Sequence, residues 1–344
     1  TPTPTPTTTG TNTPTPTVTE TPTSTPTVTP TEPYDVYLFE DCCNSSNQFR
    51  IQNVPGSLVV GQVWNIVNSG FSESAVDLEL FILNGPIESK LVTVPQNSTK
   101  KIAIDSLVPG EESIALAVKT RSGRVSSYLF DERKKGLKAL GADFVSPVGQ
   151  ARKQVVIPAI SGLFGKLSQN TNSVSHTLRL LVPSSIDANV DISVNSDDGK
   201  FIPVGLSQLN IKSQRVFNVP LAFAPTNQPF SLIIESDQPI LASVLSNFSY
   251  GKSSEIAWAT GADELSKWSV NLTGSKPTLT FVGERIDIQI SATGTNGKKF
   301  EKKLSGSNFL VWRAPVGLNK LEVLANRTGI SGGVIFLPEA GGIG

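Results

Sequence analysis

Three pentapeptides repeat one pattern of apolar and polar positions: Val76-Asp77-Leu78-Glu79-Leu80, Val190-Asp191-Ile192-Ser193-Val194 and Ile286-Asp287-Ile288-Gln289-Ile290. Each reads apolar, Asp, apolar, polar, apolar, the period of two that a strand with one buried and one solvated face requires. Each predicts a half-buried strand. Asn84-Gly85, Asp198-Gly199 and Asn296-Gly297 come next in the three copies and predict tight hairpin turns, because these residue types tolerate positive φ. Further on, "SIALAVKTRSGRVSSYLF", "FSLIIESDQPILASVLSNF" and "NKLEVLANRTGISGGVIFL" each predict a strand, a turn and a second strand. Val125 lies 49 residues after Val76, Ile240 lies 50 after Val190, and Ile330 lies 44 after Ile286.

Gly141-Ala142-Asp143 and Gly261-Ala262-Asp263 close the first two copies, whereas the third ends in "PEAGGIG". Each copy holds about six or seven short strands separated by Gly, Pro, Asn and Asp, with almost no helical periodicity. At roughly 100 residues per copy this predicts an all-β chain of tandem immunoglobulin-like β-sandwiches. The expected first sandwich spans 34–155, the second 156–265, and a shortened third 266–344. The strand "QVVIPAI" fits either neighbour of the first boundary.

Ahead of these units, residues 1–33 contain 17 Thr and 9 Pro, with no aromatic residue and no Lys or Arg. Proline fixes φ near −65° and pushes the preceding residue out of the helical region, so alternating Thr-Pro predicts an extended, polyproline-like stalk. At about 3.1 Å per residue such a stalk reaches on the order of 100 Å. This composition is also that of O-glycosylated stalks, with Thr3, Thr5, Thr13, Thr15, Thr21, Thr25 and Thr29, each before a proline, as candidate acceptors; a plain linker is the alternative. Asn44, Asn97, Asn247, Asn271 and Asn326 each open an N-x-Ser/Thr sequon, which matters only where the producing cell glycosylates it.

Composition narrows the function classes. The 29 basic residues balance the 29 acidic ones, so the basic excess that nucleic-acid binding draws on is absent. No run of about 18 apolar residues predicts a membrane-crossing helix. The chain starts at Thr1 and contains no Met, as expected of a processed product or a piece of something longer. Its only cysteines, Cys42 and Cys43, are adjacent. A trans peptide holds their Cα atoms about 3.8 Å apart, below the usual disulfide span, so two unpaired thiols are expected.

The sequence contains no GxSxG elbow, P-loop, HExxH or paired CxxC. The one histidine, His176, sits in "SVSHTLRLL" and is expected at a solvated strand end, not as a general base. One His and two adjacent Cys do not make a zinc site. Asp197-Asp198-Gly199 lacks the further carboxylates of a calcium loop and reads as a turn. The mixed-charge run 131–138, "DERKKGLK", reads as a solvated loop. Trp64, Trp258, Trp268 and Trp312 are expected as core or inter-domain anchors. No cofactor is predicted.

Two resemblances add a setting. From about residue 60 onward, "GRVSSYLFDERKKGLKALGADFVSP", "LLVPSSIDANVDISVNSDDGKFIPVG" and "GGVIFLPEAGGIG" are similar to an uncharacterised family of actinobacterial secreted or envelope-associated proteins. That resemblance implies an extracytoplasmic repeated β architecture and no activity. Residues 1–66, with the Thr-Pro repeat and "YLFEDCCNSSNQFRIQNVPGSLVVGQVWNI", resemble segments of structural proteins of aquatic tailed phages, from which the chain departs at "IVNSGFSESA". The expected function is a non-enzymatic, secreted or cell-surface structural or adhesive protein whose strand edges could pair into filaments. The alternative is a virion fibre or decoration protein, and a carbohydrate-binding module ranks lower. Expected partners are other copies of the chain, envelope or virion proteins, or glycans, without nucleic acid or membrane insertion.

Overall fold

A computed structural model describes residues 36–40, 58–103, 114–123, 125–135, 138–145, 150–162, 172–225, 227–250, 253–272 and 277–336. All belong to the unit Pro33–Gly344. The expected stalk lies outside them. The described residues form an all-β structure of several antiparallel sheets, with no helix among them.

The first group of strands is β1 (Val36–Glu40), β2 (Leu58–Asn68), β3 (Ser74–Ile82), β4 (Gly85–Val94), β5 (Ser98–Ala103), β6 (Ile114–Ser122), β7 (Ser126–Lys135) and β8 (Lys138–Val145). They make two sheets, ordered β1-β6-β3-β4 and β5-β2-β7-β8. Val76, Leu78 and Leu80 of β3 point into one core with Trp64, Ile66 and Leu129 of the other sheet, as the alternation in the first pentapeptide predicts.

The second group is β9 (Arg152–Ile160), β10 (Asn172–Leu181), β11 (Ala188–Ser196), β12 (Gly199–Phe201), β13 (Leu209–Ile211), β14 (Val216–Pro220), β15 (Phe230–Tyr250) and β16 (Ser253–Thr260). Here β15 serves two sheets. Its first half pairs with β11 and β9, its second half with β10 and β16. The sequence predicts two strands and a turn at this place. Instead the chain runs on through Asp237-Gln238-Pro239 and changes sheet within one strand, with a register shift against β9 between Glu235 and Ile240. No glycine is available there to reverse the chain, whereas the matching turn in the first group has Gly123 at φ +78. Since β9 pairs with β15, "QVVIPAI" joins the second group.

The third group is β17 (Lys267–Asn271), β18 (Pro277–Gly294), β19 (Lys299–Arg313), β20 (Leu318–Ala325) and β21 (Ser331–Phe336). Both β18 and β19 are long, and β18 pairs with β21 through its first half and β20 through its second. The pairing pattern therefore recurs: β1-β6-β3-β4, then β9-β15-β11 with β12 and β13, then β17-β20-β18-β19. The three pentapeptides occupy the same place in each. Leu279, Phe281, Ile288, Ile290, Leu321 and Val323 fill the third core.

At the hairpin turns the glycine, not the residue before it, takes the positive φ: +132° at Gly85, +109° at Gly199 and +76° at Gly297. Gly123 carries a second constraint, because an added Cβ would meet Ser74 Oγ at 2.1 Å, while one at Gly297 would face open space. Gly297→Ala should cost about 1 kcal/mol for the left-handed backbone alone. Gly123→Ala should cost about 2–3 kcal/mol, since Ser74 must also move. Urea denaturation of the two variants checks the ordering, and equal losses would show that Ser74 yields freely.

Candidate functional site

His176 is not at a solvated strand end. Strand β10 begins four residues earlier, so His176 lies within it, opposite Ser246 of β15, and shares the inward parity of Leu178 and Leu180. It is 5% exposed. Its Nδ1 is 2.8 Å from Ser246 Oγ, and its ring meets the Phe230 and Phe248 rings edge-on at 5.1 and 6.5 Å. The Nε2 atom is buried without a hydrogen-bond partner. Burial lowers the imidazole pKa to about 4, because an apolar site disfavours the charged form. A neutral histidine sealed in a core has no substrate to reach, and the His–Ser contact serves packing.

The repeated Asp of the pentapeptides has a structural use that the alternation alone does not reveal. Arg121 Nε, near the end of β6, donates to Asp77 Oδ2 at 2.5 Å. Asn326, just past β20, donates its backbone N–H to Asp287 O and its Nδ2 to Asp287 Oδ1, at 3.0 and 2.9 Å. Because β6 and β20 flank equivalent strands, these two clamps correspond. Asp191 bonds on its other side, accepting from Ser207 Oγ at 2.8 Å and Gln208 N at 2.8 Å. The Gln208 backbone bond, followed by the Ser207 hydroxyl, holds its carboxyl below the ordinary range.

The other predicted positions scatter. Asn97 is exposed in the turn after β4 with φ 48°, and Asn271 is exposed at the end of β17. Asn326 is exposed but its amide nitrogen is engaged by Asp287. Asn247 is only partly exposed within β15. Thr3, Thr5, Thr13, Thr15, Thr21, Thr25, Thr29, Asn44, Cys42 and Cys43 lie outside the described residues. Asp197-Asp198 forms a two-residue loop whose Asp198 carboxylate accepts from Gln228 Nε2 at 2.6 Å. Among the described residues no three His, Cys, Asp or Glu side chains gather as a metal site would need. Trp64 is a core residue, Trp268 and Trp312 pack at the edge of the third core, and Trp258 sits between groups.

The junctions between groups carry most of the unpredicted detail. At the first, Phe81, Ala115 and Ala117 pack against Leu181, Val216 and Leu241, with Trp258 alongside. The buried Arg179 guanidinium stands 5.2 Å over the Trp258 ring, and Asp143 Oδ2, from the first Gly-Ala-Asp, accepts the Trp258 backbone N–H at 2.6 Å. Glu79 shares the outward parity of Phe81, and burial raises its carboxyl pKa. At the second junction residues 261–266 are bonded to both neighbours. Ala262 N donates to Val156 O at 2.8 Å, Leu265 N to Ile330 O at 2.6 Å, and Ala325 N to Ser266 O at 2.9 Å. Asp263, from the second Gly-Ala-Asp, pairs with Arg152. Thr280 Oγ1 donates to Pro158 O at 2.6 Å, and a Cβ on Gly261 would come within 2.5 Å of Val155 Cγ1.

Beside this second junction lies a cleft of about 540 Å³. Val156 and Ile233 of the second group and Val282 of the third supply its apolar lining, and Glu284, Arg285 and Arg327 are among its polar residues. Glu284 and Arg285 are the bulge of β18: Gly283 pairs with Asn308 and Ile286 with Gly306, leaving two residues opposite one. Bulges of this kind re-aim side chains at strand ends and sites. Arg327 sits on the loop between β20 and β21, braced before it by Asn326 on Asp287 and after it by Gly329 N on Glu264 Oε2 at 3.1 Å.

The described residues define an all-β protein of several antiparallel sheets. The chain matches the family of unknown function DUF5719 over residues 38–304, and it belongs to that family. The match begins within β1 and ends within β19. A comparison with curated proteins finds no match.

The buried histidine makes stability depend on pH. Above pH 6.5 both folded and unfolded chains hold it neutral and its contribution is complete. Between 6.5 and about 4 the unfolded chain binds a proton that the folded chain refuses, so stability falls as pH falls. From pH 7 to pH 5 the loss from this residue should be about 2 kcal/mol. His176→Asn, which keeps a polar atom near Ser246, should remove that share of the slope in denaturation curves taken at the two pH values.

Proposed function

We propose that the chain is a non-enzymatic extracellular structural or adhesive protein, in which three immunoglobulin-like sandwiches, built on β1–β8, β9–β16 and β17–β21, are displayed on a Thr/Pro stalk. The observation that carries this reading is the way the groups join. A free linker allows domains to swing, whereas residues 261–266 are hydrogen-bonded to strands on both sides and the first junction buries apolar side chains. Such a body transmits force and keeps its reach, which suits display.

The strand edges bear on assembly. The edge strand β5 carries Lys100 and Lys101, and the edge strand β19 carries Lys299, Lys302 and Lys303, all exposed. Lysines on edge strands oppose edge-to-edge pairing, so display fits these two edges better than a filament built through them. An actinobacterial envelope is one carrier and a phage virion the other; the family region is shared either way.

Immunogold labelling of intact producing cells is the test, with purified virions labelled in parallel. Label on the envelope, removed by external protease, is the expected result, label on virions selects the second carrier, and label confined to the cell interior refutes both. Native material should also exceed 36.6 kDa in intact mass, with the excess lost on chemical O-deglycosylation; an unmodified mass would leave the stalk a bare spacer.

A further inference from the structure

We propose that the cleft beside the second junction is a binding site for an acidic saccharide, its carboxylate held by Arg285 and Arg327. The volume, about 540 Å³, falls within the ~300–1,000 Å³ usual for small-molecule clefts. Both arginines line it, and neither engages a carboxylate or another partner among the described residues. A guanidinium offers donors in a planar fork that matches a carboxylate. Three other exposed cations are held by carboxylates: Arg121 by Asp77, Arg152 by Asp263 and Lys212 by Asp187. Arg285 and Arg327 are held near each other's cleft wall by backbone features and are left without such a partner.

Those backbone features are specific. Arg285 is presented by the two-residue bulge of β18, and the bulge lies hard against the loop that carries Arg327, since a Cβ on Gly283 would come within 2.7 Å of Gly329 O. The loop is fixed on both flanks of Arg327 and Thr328, by Asp287 through Asn326 and by Glu264 through Gly329. The supports thus engage Asn326 and Gly329 on either side, while the Arg327 and Thr328 side chains line the cleft.

The remaining lining chooses the ligand class. Gln154, Glu284, Thr328 and Ser331 supply acceptors and donors suited to ring hydroxyls, and Val156, Ile233 and Val282 supply an apolar wall for the C–H face of a pyranose. Glu264 and Glu284 line the same cleft and balance the two arginines, which disfavours a multiply charged phosphate, whose repulsion with carboxylates exceeds that of a singly charged uronate. A uronic-acid saccharide satisfies all three parts of the lining.

The proposal rests on the display reading only for where such a sugar is met, and its test is independent of cell location. Isothermal titration of the full chain with tetragalacturonate, with the neutral maltotetraose and inorganic phosphate as separate arms, should give saturable binding to tetragalacturonate alone. Arg285→Gln and Arg327→Gln should each weaken it by roughly 10- to 100-fold, the loss of one charge-assisted bond pair. Arg285→Lys, which keeps the charge and loses the fork, should fall between. Arg215→Gln, at an exposed site on the second group, should leave binding unchanged. Thermal unfolding of each variant confirms that it folds. No binding of tetragalacturonate, binding of phosphate or maltotetraose as tight as that of tetragalacturonate, or equal loss in Arg215→Gln overturns the assignment. Saturable binding by a protein found inside the cell would sink the display reading and leave the site standing.

Discussion

A sheet that packs on both faces obeys a stricter rule than one with a solvated face, and two sheets of this molecule are in that position. Strand β10 turns Leu178 and Leu180 into its own core and Arg179 and Leu181 toward the first group. Strand β18 turns Leu279 and Phe281 inward and Thr278 and Thr280 toward the second group. A polar group on the outward side needs a partner, because an unpaired buried polar atom costs about 1–3 kcal/mol. Asp143 accepting the Trp258 N–H and Thr280 donating to Pro158 O bridge the two junctions, while the Arg179 guanidinium is covered by the Trp258 ring of its own group. The two bridging bonds set β8 against β16 and β18 against β9, so the relation between groups is specified by the same forces that specify each core.

How much of this was legible follows from what alternation can encode. The three pentapeptides became half-buried strands at matching places because a period of two is a direct record of one-sided burial, and their glycines became turns because few other residues adopt those φ values. Residues 230–250 misled the eye for the same reason. The inward positions keep one parity on both sides of Asp-Gln-Pro, from Phe230, Leu232 and Ile234 to Ile240, Ala242 and Val244, so a segment that reads as a turn is accommodated as a change of sheet. His176 was misplaced by a boundary: without a cap or glycine ahead of it, nothing in "SVSHTLRLL" says that β10 starts at Asn172. The clamp made by the repeated Asp was half visible, as a recurring residue with no reason attached. Its partners, Arg121, Gln208 and Asn326, are distant in sequence and follow no common spacing. The cleft was invisible, since its walls come from strands more than a hundred residues apart.

The two junctions answer the same rule with different chemistry, and the difference has consequences. The first is closed by large apolar side chains, and its one buried cation sits over an aromatic face, where desolvation strengthens a cation–π contact. The second is closed by backbone hydrogen bonds through residues 261–266, by Thr280 on Pro158 O, and by Gly333, so close to Ala159 that a Cβ would stand 2.5 Å from its methyl. Small residues let backbones meet, but they do not fill the margin around the contact. The bulge in β18 and the loop after β20 project at that margin and enclose space instead of occupying it. The first two Gly-Ala-Asp segments follow the same division, one Asp reaching across to the backbone of Trp258 and the other staying on Arg152 of its own group. Two junctions between groups of similarly paired strands thus differ, one a packed joint and the other an open cleft, through a handful of side-chain sizes.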